Sequence, residues 1–194
     1  MKPDTKNFMR KTIVLVLLFC LGMLGARAQS AVSKVKWYSI AEAVTLQKKA
    51  PRKIVMDIYT DWCGWCKRMD AETFNHPVIA EYINAHYYAV KFNAETSDTI
   101  VIGNQKFINP GQGVRSTHQL AMALFQAQQV QPAYPSLAFF TENMQLIFVR
   151  QGYSYPLQME LLLNYVIAEK YKPTPLEEYQ KTFVSSVKVS EEKK

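Results

Sequence analysis

Two cysteines three positions apart are the residues of this sequence best suited to chemistry. Cys63 and Cys66 lie in residues 62–67, which read Trp-Cys-Gly-Trp-Cys-Lys. A Cys-x-x-Cys pair either carries a redox-active disulfide or supplies half of a zinc site. The sequence also contains three histidines, His76, His86 and His118. Because these are not spaced as a ligand pair, we expect thiol-disulfide exchange, with no metal, no catalytic histidine and no cofactor beyond a Cys63–Cys66 disulfide.

The residues on either side of the motif predict how the pair is positioned. Residues 54–59 are apolar except for one acid, which predicts a buried strand running into the motif. Residues 63–74 contain no proline and no glycine beyond Gly64, which predicts a helix that begins at the motif. At a helix N-terminus the free amides and the macrodipole lower a thiol pKa from about 8.5 to roughly 3.5–7.5. We therefore expect an exposed, nucleophilic Cys63, and an inward-facing Cys66 that resolves the mixed disulfide.

The acid within the predicted strand is Asp57. A charged carboxylate buried there without a partner would cost several kcal/mol, so we expect a raised pKa or a partner of opposite charge. One interpretation is a residue at a strand end with no chemical role. The other, which we favour, is a proton acceptor for Cys66, acting directly or through a water molecule.

Local signals predict the elements that surround the motif. Ser39 and Glu42 form a capping box that starts a helix ending before Pro51, and Pro77 suits the first turn of another helix. Ser116 is the predicted N-cap of a third. The remaining predictions are strands over 87–93, 136–141 and 145–150, a hairpin over 99–108, a helix over 156–170 and a short helix from about 175. This alternation predicts an α/β fold, a mixed sheet with helices on both faces.

The N-terminus predicts export. Four basic residues among positions 2–11 precede an apolar run over 13–24 and the small-residue site Ala26-Arg27-Ala28, the pattern of a secretory signal peptide over residues 1–28. An uncleaved membrane anchor is the alternative, but the run is shorter than the roughly 20 residues that span a bilayer. Lipid attachment at Cys20 is a third interpretation, disfavoured by the bulky residues before it. We expect a periplasmic or otherwise extracytoplasmic protein.

Composition and charge limit the number of domains and the kinds of partner expected for the remaining chain. The sequence has 194 residues, 48% of them hydrophobic, which suits one globular domain. Removing residues 1–28 takes five basic residues and one acid from totals of 23 and 16, leaving 18 and 15 and a net charge of +3. No basic block interleaves with aromatics, so we expect no nucleic-acid partner. We predict a domain over 29–171 with an insertion at about 95–115, and a C-terminal extension over 172–194.

Residues 37–170 resemble the thioredoxin superfamily, and more closely its exported thioredoxin-like members and the soluble reducing domain of transmembrane disulfide reductases. The most specific stretch is 55–67, from Val55 through the two cysteines to Lys67. The resemblance implies the thioredoxin fold and a disulfide reductase acting on protein thiols and disulfides, with a membrane electron donor as a further candidate partner.

The resemblance also implies site residues. Asp57 matches the family's buried acid, Lys91 the lysine near that acid, Trp62 the tryptophan before the nucleophile and Pro135 the cis proline. Tyr134 would then place its backbone against the cysteines and pair with substrate. Lys91 has the alternative of a solvated strand-end lysine, and Trp62 that of a packing residue.

The sequence departs from the family around the motif. Gly64-Trp65 stands where thioredoxin has Gly-Pro and disulfide isomerases have Gly-His, Tyr134 replaces a smaller residue, and residues 94–115 are extra. Gly64 and Trp65 are therefore candidate substrate contacts, and the reduction potential is open. A disulfide oxidase or isomerase on the same scaffold remains an alternative. So does a binding or chaperone module that uses the aromatic surface of Trp65, Tyr134 and Tyr153.

Overall fold

The computed structural model describes residues 34–111 and 115–188. Seven strands lie within them: β1 (Trp37–Tyr38), β2 (Lys53–Tyr59), β3 (Tyr87–Asn93), β4 (Ile100–Ile102), β5 (Gln105–Phe107), β6 (Ser136–Phe140) and β7 (Leu146–Gln151). The α-helices are α1 (Ile40–Lys49), α2 (Gly64–Met69), α3 (Pro77–His86), α4 (Gln119–Ala127), α5 (Pro156–Ile167) and α6 (Leu176–Thr182). A π-helix, Asp70–Phe74, follows α2 directly.

Five strands form one mixed sheet in the order β1-β3-β2-β6-β7. Strands β1, β3 and β2 are parallel, and β6 and β7 are antiparallel to their neighbours. Strand β2 is central, and its register places Asp57 opposite Lys91 of β3 and Leu137 of β6. The α/β fold with helices on both faces is thus confirmed, and the carboxyl ends of β2 and β3 meet beside the cysteine motif.

Alternating side chains divide the core into two clusters, one on each face of the sheet. Val55, Ala89 and Leu137 face the cluster that includes residues of α2, α3 and α5. Their neighbours along the strands, such as Met56 and Val90, face the cluster that includes residues of α1 and α4. Asp57 is two residues after Val55, so it lies on the face covered by α2.

The predicted helix signals are confirmed at two positions and wrong at a third. Ser39 and Glu42 form the capping box of α1, and Pro77 is the first residue of α3. Ser116 does not cap α4. The N-cap is His118, whose Nδ1 accepts a hydrogen bond from the Leu120 backbone N–H at 3.1 Å. The imidazole is buried, because the insertion preceding α4 covers it.

The hairpin β4–β5 forms a separate two-stranded sheet within the predicted insertion. Its apolar residues Ile100, Ile102 and Phe107 pack against the cluster of α1 and α4. The Asp98 carbonyl lies 3.0 Å from His118 Nε2, which joins the insertion to the start of α4. The insertion is therefore part of the packed structure on that face.

The ends of the chain lie partly outside the described residues. The predicted signal peptide over 1–28 lies entirely outside them, and so do residues 189–194 and the internal residues 112–114. The predicted domain boundary at residue 172 stays a prediction. In the described part of the extension, the Glu160 carboxylate of α5 accepts hydrogen bonds from the backbone N–H groups of Ser186 and Val187. Among helices of residues 34–111 and 115–188, none has the length and apolar character needed to cross a membrane.

Candidate active site

The cysteine motif lies at the turn between β2 and α2. After β2 ends at Tyr59, the Cys63 backbone N–H donates to the Thr60 carbonyl at 3.1 Å, which closes a tight turn. Cys63 is then the N-cap of α2, and a disulfide joins it to Cys66 with the two Cα atoms 5.3 Å apart. The predicted strand, turn and helix therefore place the pair at the carboxyl end of the central strand.

Hydrogen bonding, and not exposure, distinguishes the two cysteines. The Cys66 backbone N–H donates to Cys63 Sγ at 3.1 Å. Cys63 is 5% exposed and Cys66 2%, so the expectation of an exposed Cys63 is wrong for the disulfide form. The indoles of Trp62 and Trp65, the residues immediately before Cys63 and Cys66, are half exposed instead. The first turn of α2 thus directs an amide donor at one sulfur of the two.

Asp57 is fully buried, and only one of its carboxylate oxygens is paired. Oδ2 accepts from Lys91 Nζ at 2.6 Å, whereas Oδ1 has no hydrogen-bond partner among the described residues. Burial raises the pKa of Asp57 to about 6, although the positive charge of Lys91 opposes that rise. The carboxyl therefore changes charge close to neutral pH, well above the ordinary range for aspartate.

Lys91 lies at the end of β3 between two acids. Its ammonium also contacts the carboxylate of Asp70, the first residue of the π-helix. Burial alone would lower the pKa of Lys91, but the charge of Asp57 and the hydrogen bonds that Lys91 donates to both acids outweigh it, so the pKa is raised. Lys91 remains a cation next to Asp57, as the family resemblance implies for this position.

The aromatic ring of Trp62 is held by residues of the insertion. Its indole N–H donates to both carboxylate oxygens of Glu95, at 2.9 and 3.0 Å. The guanidinium of Arg115 lies 5.0 Å from the ring centre, and the ring of Tyr134 meets it edge-on at 6.1 Å. Sequence reasoning missed Glu95, because a lone acid at the start of an insertion gives no signal of its partner.

A second aromatic group includes Trp65, which lies between the two cysteines in sequence. Trp65 contacts Tyr153 with ring centres 5.6 Å apart, and Tyr153 contacts Tyr155 at 4.8 Å. Arg68 and Glu72 support these rings, and sequence reasoning missed both. Their i,i+4 spacing on a predicted helix is a signal that could have found the pair.

The remaining predicted site residues border the motif. The Tyr134–Pro135 peptide bond is cis, and the ring of Tyr134 lies against Trp62. Gly64 is exposed, and no atom lies within 4 Å of the place a Cβ would occupy. Two of the histidines considered as possible ligands are helix caps: His118 is the buried N-cap of α4, and His76 is the N-cap of α3. In the part of the chain that the structure describes, no cluster of three or more His, Cys, Asp or Glu side chains could hold a metal ion.

A five-stranded mixed sheet that leads into a Cys-x-x-Cys disulfide at a helix N-terminus defines a thiol-disulfide oxidoreductase. The family model described as a thioredoxin-like domain matches residues 40–167. The chain therefore belongs to the thioredoxin-like domain family.

Individual relatives are more distant. The thiol:disulfide interchange protein DsbD of Pectobacterium atrosepticum is 28% identical over 60 residues, which is 29% of this chain and only 10% of that protein's length. A thioredoxin-fold protein from Helicobacter pylori matches with a TM-score of 0.50 and 18% identity, over 80% of this chain and 93% of its own. A putative disulphide-isomerase from Bacteroides thetaiotaomicron matches with a TM-score of 0.47 and 23% identity, over 72% and 97%. The Helicobacter structure supports the fold alone.

Proposed function

We propose that this protein is an exported disulfide reductase in which Cys63 attacks the substrate and Cys66 resolves the intermediate. The observation that carries these roles is the hydrogen bond from the Cys66 N–H to Cys63 Sγ. An amide donor and the α2 macrodipole both stabilise a thiolate at that sulfur. Cys66 lies one turn further into the helix, which suits the thiol that acts second.

The reaction needs two displacements at sulfur. In the first, the Cys63 thiolate attacks one sulfur of a substrate disulfide, forms a mixed disulfide and releases the other sulfur as a thiolate. In the second, Cys66 loses its proton and attacks Cys63 Sγ, which forms the Cys63–Cys66 disulfide and releases the substrate as a dithiol. Two electrons pass from the protein to the substrate, so a separate dithiol donor must reduce Cys63–Cys66 before the next cycle.

Asp57 is the proposed proton acceptor for the second displacement. A base with a pKa of about 6 is mostly ionised at pH 7 and can accept a proton from a thiol of ordinary pKa. Asp57 lies on the sheet face covered by α2. Its Oδ1 has no partner in the part of the chain that the structure describes, and can accept a hydrogen bond from the Cys66 thiol or from a water molecule. The raised pKa of this carboxyl and its position on the α2 side of the sheet support its role as the proton acceptor.

Lys91 is proposed to set the strength of that base. Its charge opposes the effect of burial, so it keeps the Asp57 pKa close to neutrality instead of higher. A cavity of about 270 Å³ lined by Trp37, Asp70, Phe74 and Lys91 lies beside the ammonium. This cavity gives water access to the ammonium that contacts the buried Asp57, which supports return of the proton to solvent after each turnover.

The substrate chain is proposed to bind across the motif. Trp62 and Trp65, which immediately precede Cys63 and Cys66, expose 50% and 54% of their surface. Gly64 leaves open space above the helix start, where a polypeptide can approach the sulfur atoms. Tyr134 and Pro135 are the proposed backbone contacts on the Trp62 side.

Protein disulfides are the proposed substrates, and a membrane-bound dithiol protein is the proposed electron donor. The name of the Pectobacterium relative, a thiol:disulfide interchange protein, supports exchange between proteins. The pattern of residues 1–28 supports export, and the likeness of Asp57, Trp62 and Lys67 to thioredoxin supports the reducing direction.

A trapping experiment tests the two cysteine roles. Cys66→Ser should accumulate mixed disulfides with substrates, because the intermediate on Cys63 then has no intramolecular route to release. Non-reducing gels of envelope extracts should show adducts that vanish on reduction, and the matched variant Cys63→Ser should show few. Equal trapping by both variants would contradict the assignment of Cys63 as the nucleophile and Cys66 as the resolving cysteine. Absence of adducts from both variants would favour the binding-module alternative.

Direction and export need two further measurements. Titration of Cys63–Cys66 against glutathione should give a potential near thioredoxin's, about −270 mV, whereas a value near about −120 mV would indicate an oxidase. N-terminal sequencing of the protein from the envelope fraction should begin at about Gln29. An intact Met1 would contradict cleavage of the leader.

A further inference from the structure

Trp65, the residue between glycine and the second cysteine, is fixed by a closed set of contacts. Arg68 donates from Nε to both carboxylate oxygens of Glu72 at 3.0 Å, and the Tyr153 hydroxyl donates to Glu72 Oε2 at 2.7 Å. The Arg68 guanidinium lies 5.4 Å from the centre of the Trp65 ring and 5.7 Å from that of Tyr153. We call Arg68, Glu72 and Tyr153 the Glu72 bracket.

The bracket joins two segments that are distant in sequence. Arg68 belongs to α2 and Glu72 to the π-helix, whereas Tyr153 follows β7 by two residues. Its hydrogen bond to Glu72 spans 81 positions of the chain. The hydrogen bond from Tyr153 and the pairing with Arg68 both lower the pKa of Glu72, so the carboxylate stays charged at neutral pH. The indole of Trp65 therefore lies beside two groups that are themselves held in place.

The bracket also balances the charge on this side of the site. The positive charge of Arg68 is paired with Glu72 at short range, and its planar face covers aromatic rings. Arg68 and Glu72 are themselves 48% and 47% exposed, with their opposite charges paired. Beside them, Trp65 is 54% exposed and Tyr155, in contact with Tyr153, is 53% exposed. An exposed indole that is held beside a reactive sulfur by a charge-balanced ion pair binds best to an apolar or aromatic side chain.

We propose that the Glu72 bracket positions the Trp65 indole as a specificity face, which selects substrate disulfides whose cysteine has an aromatic or large apolar neighbour. This inference rests on the proposed function and names the substrate class of the same site. Arg68, Glu72 and Tyr153 are positioning residues, because they act on the substrate through Trp65. The ligand is a polypeptide, since the side chain next to its cysteine must reach Trp65 while the sulfur meets Cys63.

Two peptide probes test the preference. Each carries one intramolecular disulfide, with phenylalanine next to the attacked cysteine in one and glycine in the other. An aromatic pair contributes about two- to twelvefold in binding, so the full-length protein should reduce the phenylalanine peptide with a KM about three- to tenfold below that for the glycine peptide. Equal KM values would overturn the inference and leave the proposed function intact. Failure to reduce either peptide would overturn both.

Variants of Glu72 locate the preference in the bracket. Glu72→Ala should raise the KM for the phenylalanine peptide to the value for glycine, with kcat retained on both. Glu72→Gln should restore part of the difference, because its amide oxygen can still accept from Tyr153. A merely structural role would lower kcat on both peptides together, and that result, or an unchanged preference, would contradict the inference.

A matched control removes a similar ion pair away from the site. Lys172 pairs with Glu169 three residues before it, in the turns that follow α5, and Glu169 also contacts Lys53 at the start of β2. Lys172→Gln should leave both KM values unchanged. If it weakens the preference as Glu72→Ala does, the effect belongs to general loss of surface charge, and the bracket is not its source.

Discussion

Strand β2 carries a buried charge near each of its ends, and the two charges are compensated very differently. At its start, Lys53 is 4% exposed and contacts two carboxylates, Glu142 at 2.7 Å and Glu169 at 3.2 Å. Toward its end, Asp57 is fully buried, with a cation on one carboxylate oxygen and no partner within residues 34–111 and 115–188 on the other. The same strand thus holds Lys53, whose charge is paired with two carboxylates, and Asp57, whose charge is paired with a single cation.

The consequence appears in the pKa values. Burial lowers the pKa of Lys53, but its two carboxylates outweigh burial and raise it, so Lys53 stays charged at any physiological pH. Burial raises the pKa of Asp57 to about 6, and Lys91 only partly offsets it. A fully compensated charge holds structure and does not titrate. A buried charge that its partners offset only in part has a pKa close to neutral pH. Such a group can exchange a proton during a reaction, but its burial lowers the stability of the folded protein.

Asp57→Asn is the substitution expected to have the largest effect. Asparagine keeps the shape of the side chain but cannot accept the proton of Cys66. We expect the rate of disulfide reduction at pH 7 to fall about 100-fold, within the range of general-base effects. Stopped-flow measurement of the second displacement between pH 6 and 9 checks this, with circular dichroism to confirm the fold. An unchanged rate across that range would make Asp57 a structural residue like Lys53.

The same substitution should increase stability. The folded-state pKa of Asp57 is raised, so folded protein binds the proton more tightly than unfolded protein, and stability is lost as pH rises from about 4 through about 6. At pH 7 that loss is nearly complete, and Asp57→Asn should recover about 3 kcal/mol of unfolding free energy. Urea unfolding of the oxidised protein at pH 7 and at pH 3.5 measures it. A gain that persists at pH 3.5 would exclude titration as its cause.

Lys91→Met should shift the pH dependence of the reaction. Removing the cation leaves burial unopposed, so the pKa of Asp57 should rise by about two further units, within the roughly 1 to 3 by which a nearby cation lowers a carboxyl pKa. More of the carboxyl is then protonated at pH 7, and the rate should fall about tenfold there and recover in alkaline solution. The pH-rate profile of the second displacement is the measurement. A uniform loss at every pH would show that Lys91 acts through structure and not through the Asp57 pKa.

The sequence predicts the framework well because local signals dominate it. The alternation of strands and helices, the capping box of α1 and the proline at the start of α3 each depend on neighbours within a few residues. The cysteines and Asp57 are prominent for the same reason, since a lone acid in an apolar strand is visible without coordinates. The family resemblance supplied Lys91, and the register of β2 and β3 then places it opposite Asp57.

Features that join distant segments were not predictable in this way. Glu95 reaches Trp62 across 33 positions, and Tyr153 reaches Glu72 across 81. Strand β1 has two residues, too few for any periodic pattern. The cap of α4 was assigned to Ser116 because serine is a common N-cap, yet His118 takes that place where the insertion buries it. In each case the partner is chosen by tertiary packing.

Lys53→Met is the counterpart at the compensated end of β2 and should have the smallest effect. Methionine fills a similar volume without a charge, and the carboxylates of Glu142 and Glu169 are left about half exposed, where water can solvate them. Loss of the ion pairs should lower the unfolding free energy by about 1 kcal/mol at pH 7, because pairs with exposed partners contribute little. The reduction rate should stay within about twofold of the wild type, since Lys53 lies at the end of β2 away from the cysteines and does not titrate near neutrality.

Parallel urea unfolding and peptide-disulfide reduction of Lys53→Met and Asp57→Asn test the contrast directly. Lys53→Met should lose stability and keep its rate, whereas Asp57→Asn should gain stability and lose its rate. A large rate loss in Lys53→Met would mean that the two ends of the strand are coupled and that the degree of charge compensation does not separate structural from chemical residues in this protein.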